Sequence, residues 1–572
     1  MPVPSALSEF RATVLRRTRA LPRLVKIVVL LLVLGAVGFA AVPHVVSGAI
    51  VLAVAVVGSL VLMRAGEELT DWTSIVLRVT TAFVALVSLV GALVRGDAAV
   101  AALLAGLLVA ATALLATRRA DTTIFAYGLD GVPDGKPRQP FFRSTWLSVA
   151  QATAAASVPL LTRVDDEAVA AVVGLVILLL VALAAVPTLV LDLRRERILR
   201  AVRARGTRSL LAYCGKSGAP SQLAMWEPYL LEADAKPVVV NLQRRYASLI
   251  IKRAGLHSPF VQLSRTGVRH DVSRLVSRRV KIVFYVQNAR QNETFWRFKR
   301  ATHVWLHHGD TDKPGNYHPR HVMYDKLIVA GPAAIDRYAK HGVDMPREKF
   351  VPIGRPQNWT IQKPERPIRE IERPTVMYAP TWQGLDGEAD FSSLALGPTI
   401  VKRLLERDVE VIFRAHPLSY RWSERREHIK AIHEILREDR ERTGRLHRWG
   451  PKVERGLTVA ECANRADALI SDLCGVASDF LMSEKPYAIV ATKDSVEDFR
   501  EKYRFTQTGY VIRGDLGNLD EVFDDLLVND PFEPERPATR RYVLGDLEGE
   551  ALRDGFTHFV QDLLAPSTPS GR

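Results

Sequence analysis

The chain has 572 residues, of which 48% are hydrophobic and 24% charged, and its formal net charge is +15. So much apolar and charged character in one chain divides into two zones: 24–191 is mostly Ala, Val and Leu, while 192–572 reads as an ordinary soluble protein. The split argues against a wholly soluble enzyme, a disordered chain and a collagen-like fibre. Three cysteines (Cys214, Cys462, Cys474) without a CxxC pair argue against a disulfide-stapled secreted domain and a structural zinc site.

Taken in chain order, residues 1–23 form a basic N-terminus in which Arg11, Arg16, Arg17, Arg19 and Arg23 precede the first apolar run. Runs near 24–42, 45–63, 74–94, 97–116, 146–162 and 168–191 each approach the roughly 20 apolar residues that a bilayer-crossing helix needs. They predict a helical membrane domain of about six helices over 24–191. Lys and Arg concentrate in alternate loops (Arg64; then Arg118, Arg119, Lys136, Arg138 and Arg143) and again after the last run, at 194–205. That bias predicts a multi-pass protein of the cell membrane with both ends, and the C-terminal half, in the cytoplasm. No run carries a pair of buried charges, so an ion or proton pathway has no support, nor has a transporter. Without a reading motif, the basic charge gives no nucleic-acid partner.

From 206 onward, short β-branched runs alternate with amphipathic stretches. Strands are expected at 209–215, 237–242, 281–288, 303–309, 326–331 and 350–354, then at 375–382, 409–417, 468–473 and 486–491. Near-continuous apolar strands separated by helices predict parallel, doubly wound sheets, hence two Rossmann-like lobes. The Pro- and charge-rich stretch 357–375 reads as a linker between 206–356 and 376–560, with 561–572 a tail. Ligands of open α/β sheets bind beyond the carboxyl ends of the strands. Polar residues gather there: His307, His308, Gly309, Asp310 and Asp312 after one strand, Thr381 after another, Arg414 and His416 at a third, and Asp472 at a fourth. Each also has an ordinary account as a loop residue or helix cap. No Walker-type or dinucleotide-binding glycine loop is present, so ATP hydrolysis and nicotinamide chemistry are unsupported. The histidine pairs 307–308 and 318–321 lack acidic partners at a recognised spacing, and no metal site is assigned.

Four segments resemble the CDP-glycerol glycerophosphotransferase family, the teichoic-acid primases and polymerases. HVWLHHGDTDKPGNYHP (303–319) is similar to its His-Gly-Thr-Pro-Leu-Lys element, VPIGRPQN (351–358) to its Gly-x-Pro turn and MYAPTWQG (377–384) to its Ala-Pro-Thr-Trp element. FRAHP (413–417) with LISDLCGVASDFLMSEKP (469–486) resembles Arg-x-His-Pro and Thr-Asp-Tyr-Ser-Ser…Asp…Lys-Pro. The likeness covers about 206–560 and departs where Asp310-Thr311 replaces Thr-Pro, Asp312 replaces Leu, Cys474-Gly475 replaces Ser-Ser, and Gln383 replaces Arg.

The resemblance implies a glycosyltransferase-B-like pair of lobes, acceptor side first and nucleotide donor side second. It implies transfer of glycerol phosphate from CDP-glycerol to a hydroxyl of a lipid-linked or polymeric acceptor, with release of CMP. His308 and His416 are the implied catalytic residues, with Asp312 an orienter of His308. Thr381, Arg414, Asp472, Gly475 and Asp479 are the implied donor-binding set. His307 and His308 are expected to face opposite ways, because strand side chains alternate. Lys485 is expected at a solvated helix end. The residues name no cofactor, and a divalent cation stays open. The alternatives are a related two-lobed transferase using CDP-ribitol or another nucleotide donor, and a catalytically dead membrane-anchored binding protein.

Overall fold

The computed structural model describes residues 124–135, 190 and 193–565, apart from 216–218, 264–267, 277–278, 308, 310–315 and 384–390. The chain falls into two compact units, Met1–Ala201 and Val202–Arg572. In the first, Phe125–Tyr127 is a short strand bridged antiparallel to Gly135, within the stretch expected as a loop. Arg194 closes over it, donating to the carbonyls of Pro133 and Gly135.

The second unit is built on two parallel sheets. Strands β1 (Ser209–Tyr213), β2 (Pro237–Asn241), β3 (Phe260–Gln262), β4 (Ile282–Tyr285), β5 (Thr302–Trp305), β6 (Lys326–Ile328) and β7 (Phe350–Val351) lie side by side as β3-β2-β1-β4-β5-β6-β7. Strands β8 (Thr375–Ala379), β9 (Glu410–Phe413), β10 (Ala468–Ser471), β11 (Tyr487–Ala491) and β12 (Tyr510–Arg513) lie as β9-β8-β10-β11-β12. Every residue of β1 to β4, β10 and β11 is buried, as expected for parallel strands covered on both faces. In the second sheet alternate residues feed opposite layers. Val376 and Tyr378 enter one core, while Met377 and Ala379 enter the other.

The helices that bear on the site are α1 (Glu227–Glu232), α2 (Pro332–Lys340), α3 (Gly397–Leu405), α4 (Ser423–Thr443), α5 (Val459–Arg465), α6 (Gly475–Phe480), α7 (Arg536–Leu544) and α8 (Gly549–Leu564). Although α8 follows the second sheet in sequence, it packs against the first. Phe556 lies 5.2 Å from Trp226, ring to ring, and Arg553 donates to Glu232 over 3.0 Å. Gly354, with φ of +73°, makes room for α8, because a Cβ there would stand 2.3 Å from Leu552 Cδ1.

Strand order reverses between β1 and β4 in the first sheet and between β8 and β10 in the second. These are the switch points at which such sheets hold ligands. At the first, Gly215 leaves space for the Gln287 side chain, which a Cβ would overlap.

The fold class expected from the sequence, a helical membrane domain joined to α/β lobes, is corrected to a mixed α/β fold of parallel sheets. Among the described residues no helix is long and apolar enough to cross a membrane. The longest of these, α4, has 21 residues but reads SERREHIKAIHEILREDRERT, charged along its length. The assignment to the cell membrane as a multi-pass protein is corrected on the same finding. The apolar runs behind both expectations, 24–116 and 146–189, lie outside the described residues.

Candidate functional site

At the first sheet, β5 stops at Trp305 rather than running to 309. His307 has φ of +63°, in the left-handed region that residues other than glycine seldom occupy. Strand alternation therefore ends before the two histidines and does not decide which way either faces. The His307 ring is buried 5.1 Å from Trp305 and 6.0 Å from His321, and its carbonyl accepts a 2.8 Å hydrogen bond from Trp226 Nε1. His321 is fully buried and its Nδ1 lies 2.6 Å from the Tyr338 hydroxyl of α2. Burial, reinforced by the neighbouring His307 and His318, pushes its pKa down to about 2, so the ring is neutral at physiological pH. His308, Asp310 and Asp312 lie outside the described residues. Gly309 is described.

At the second sheet, Asp472 follows β10 and is fully buried. Its Oδ2 accepts from the backbone N–H of Thr381 (2.6 Å) and of Ser393 (3.1 Å). One carboxylate thus joins the ends of β8 and β10 across the switch point and fixes Thr381, whose carbonyl accepts from Ser392 Oγ. Next to Thr381, Trp382 stacks between His416 (6.1 Å, 21°) and Trp422 (6.1 Å, 27°). His416 Nδ1 accepts the Leu418 N–H, which sets the ring's orientation.

Arg414 is engaged within the protein: Nη1 donates to the carbonyls of Val453 and Leu457, tying down the loop before α5. Asp479, near the end of α6, accepts from Arg355 Nη1 (2.7 Å) and Asn358 Nδ2 (3.0 Å) in a largely buried cluster. Those partners lie in the segment that follows β7, so the pair holds the first sheet's exit against α6. Lys485 is buried, not solvated, and caps α5 by donating to the carbonyls of Ala463 and Ala466.

The two strand-end regions meet at glycines, where a Cβ on Gly475 would stand 3.9 Å from Gly309 Cα. The structure thus gathers Thr381, Asp472, His416 and Gly475 around the second switch point, with Gly309 opposite Gly475. Arg414 and Asp479 instead bond to the surrounding framework. Sequence reading passed over Trp226, Ser393 and Arg425, considered His321 only as a metal ligand and met Trp382 only within its motif. Arg425 of α4 donates through Nε to Gln383 Oε1 (2.7 Å), bringing a guanidinium beside the position where the resemblance expects an arginine. Arg355 and Asn358 did carry a signal, since both fall in VPIGRPQN. Trp226 carried none. Among the described residues no group of three or more His, Cys, Asp or Glu is arranged to hold a metal ion.

No curated protein matches the chain. Similar solved structures include the wall teichoic acid polymerase TagF, at 15% identity and TM-score 0.40, covering 67% of this chain and 96% of that one. The S. aureus MnaA–UDP co-structure is similar at 14% identity and TM-score 0.42, covering 64% and 99%. A UDP-N-acetylglucosamine 2-epimerase is similar at 14% identity and TM-score 0.38, covering 62% and 95%. The family model that matches is described as CDP-glycerol:poly(glycerophosphate) glycerophosphotransferase. Its match runs from the helix before β4 into β12, through the strand ends and the glycine junction described above. Over residues 268–511 the chain matches the model of this family, and the match supports a CDP-glycerol glycerophosphotransferase enzyme.

Proposed function

We propose that this transferase passes a glycerol phosphate unit from CDP-glycerol to a hydroxyl of a lipid-linked or polymeric acceptor, in teichoic-acid-like polymer synthesis. The acceptor oxygen forms a bond to the phosphorus bearing glycerol, the bond from that phosphorus to the bridging oxygen breaks, and CMP leaves with the electron pair. The observation that carries the reading is the approach of Gly309 to Gly475. Gly309 follows the candidate base directly in sequence, and Gly475 follows the β10 end at the switch point of the second sheet. In this reading the first sheet serves the acceptor and the second the donor.

His308 takes the proton of the attacking hydroxyl. A histidine suits this task because it titrates near neutrality, and such a base is worth typically about 10²–10⁴-fold. Asp312 orients it. His416 and Thr381 face the diphosphate, where fixed donors stabilise charge that develops on the leaving group. Gly475 permits close approach of a phosphate to the backbone. Asp472, Arg414 and Asp479 support the donor by fixing the loops that hold it, a role favoured by their bonds to backbone and to Arg355.

CMP release from CDP-glycerol in the presence of a glycerol phosphate polymer tests the reading, with CDP-ribitol and UDP-sugars as competing donors. His308→Ala should abolish release and leave CDP-glycerol affinity near normal. His416→Ala should weaken both, by about 10- to 150-fold for a lost charge-assisted hydrogen bond. His307→Ala should be milder than either. Full activity in His308→Ala would remove the base, and release from UDP-sugars alone would remove the donor.

A further inference from the structure

The left-handed backbone at His307 needs something to hold it, because an L-residue gains nothing from that conformation by itself. Two groups from distant parts of the chain meet there. Below the ring lies the Trp305–His321 stack, whose rings are 5.1 Å apart at 35°. On the backbone side, Trp226 donates its indole N–H to the His307 carbonyl over 2.8 Å. Trp226 is 1% exposed and directly precedes α1. Its ring rests on Phe556 of α8, and the Phe556 ring also meets Tyr229 edge-on at 6.4 Å.

We propose that Trp226 is a positioning residue: its N–H pins the carbonyl of the left-handed turn at His307, two residues before Gly309 and its approach to Gly475, while Phe556 holds the indole in place. The proposal rests on the reading of that turn as the seat of the base. Pinning the His307 carbonyl restricts how the chain can run on from that residue. Gly309 follows at once and is the point nearest Gly475. The C-terminal helix thereby supports a turn nearly 250 residues earlier, through one aromatic contact and one hydrogen bond. Trp226, Phe556 and His307 are not among the residues assigned to the donor, so a loss of positioning can be told from a loss of donor binding.

The test is Trp226→Phe in the full-length protein, which keeps a six-membered ring against Phe556 and removes the donor with the rest of the indole. The turnover number for CMP release should fall roughly tenfold or more, the cost expected when a reacting group is misplaced by a fraction of an ångström to an ångström. The KM for CDP-glycerol should stay within about twofold, since uniform binding is untouched. Phe556→Leu should lower turnover in the same direction and by less, again without moving the donor KM. Wild-type turnover in folded Trp226→Phe, or a loss matched by an equal rise in donor KM, would overturn the proposal. Should Trp226→Phe not fold, unchanged turnover in folded Phe556→Leu would overturn it instead. His308→Ala run in parallel separates the two ideas. If His308→Ala keeps its activity, the reading of the turn fails. If His308→Ala is dead and Trp226→Phe is normal, the positioning role alone fails.

Discussion

At the carboxyl end of the first sheet the buried polar groups are neutral and aromatic. Trp305, His307, His321, Tyr324 and Tyr338 pack ring on ring, and His321 meets Tyr338 through a hydrogen bond without a charge. At the second sheet the same depth is occupied by carboxylates and guanidiniums: Asp472 on two backbone N–H groups, Asp479 on Arg355, and Glu454 on the Tyr420 hydroxyl. A surround of neutral rings keeps an imidazole unprotonated, the form in which a base must begin, while opposing the charge it takes on. Fixed charges and dipoles, already oriented before substrate arrives, favour the holding of an anion. The two halves of the proposed reaction make these two demands.

If the second region does depend on charge, the largest effect should come from Asp479→Ala. It would strand Arg355, whose side chain is 8% exposed, without its counter-ion. Breaking such a pair costs about 3–5 kcal/mol, readable as a drop in the urea midpoint. A cost under 1 kcal/mol would mean that charge is not what holds the second region.

The first region should respond to acid instead. His321 is held neutral in the folded state, with a pKa near 2 against the usual 6.5, so the unfolded chain binds a proton that the folded one refuses. Stability is then insensitive to this residue above pH 6.5 and declines as pH falls below it, by about 1.4 kcal/mol per unit. Between pH 7.5 and 5 the loss should be about 2 kcal/mol, and His321→Gln should remove that part of the slope. An unchanged slope in the variant would place the neutral group elsewhere.

The smallest effect calibrates both. Arg369 and Glu533 form a 2.7 Å pair far from the strand ends, with side chains 49% and 42% exposed. Glu533→Gln should barely move the urea midpoint, and high salt should erase even that small change. A larger cost would blur the distinction between buried and exposed charge on which the comparison rests.

Much of the α/β framework was legible because parallel strands buried on both faces leave near-continuous apolar runs. Ten of the strands sit where such runs occur. Phe260–Gln262 and Tyr510–Arg513 were not expected. At the site, residue type announced chemistry and tertiary contacts redirected it. Arg414 and Asp479 both stand in the implied donor-binding set, yet Arg414 donates to two carbonyls and Asp479 accepts from Arg355. The turn at His307 was illegible for a different reason, since the group that bonds its carbonyl lies 81 residues away. The apolar stretch 24–191 announced burial, and burial alone does not name the medium.

The return of α8 to the first sheet also sets a timetable for synthesis. A ribosome that has finished β7 at Val351 must still add roughly 200 residues before Phe556 emerges to cover Trp226. At about 5–20 residues per second that takes on the order of 10–40 s. Throughout it the nascent first sheet keeps an uncovered aromatic face, open to chaperones. The chain's last helix completes the fold that its early strands begin.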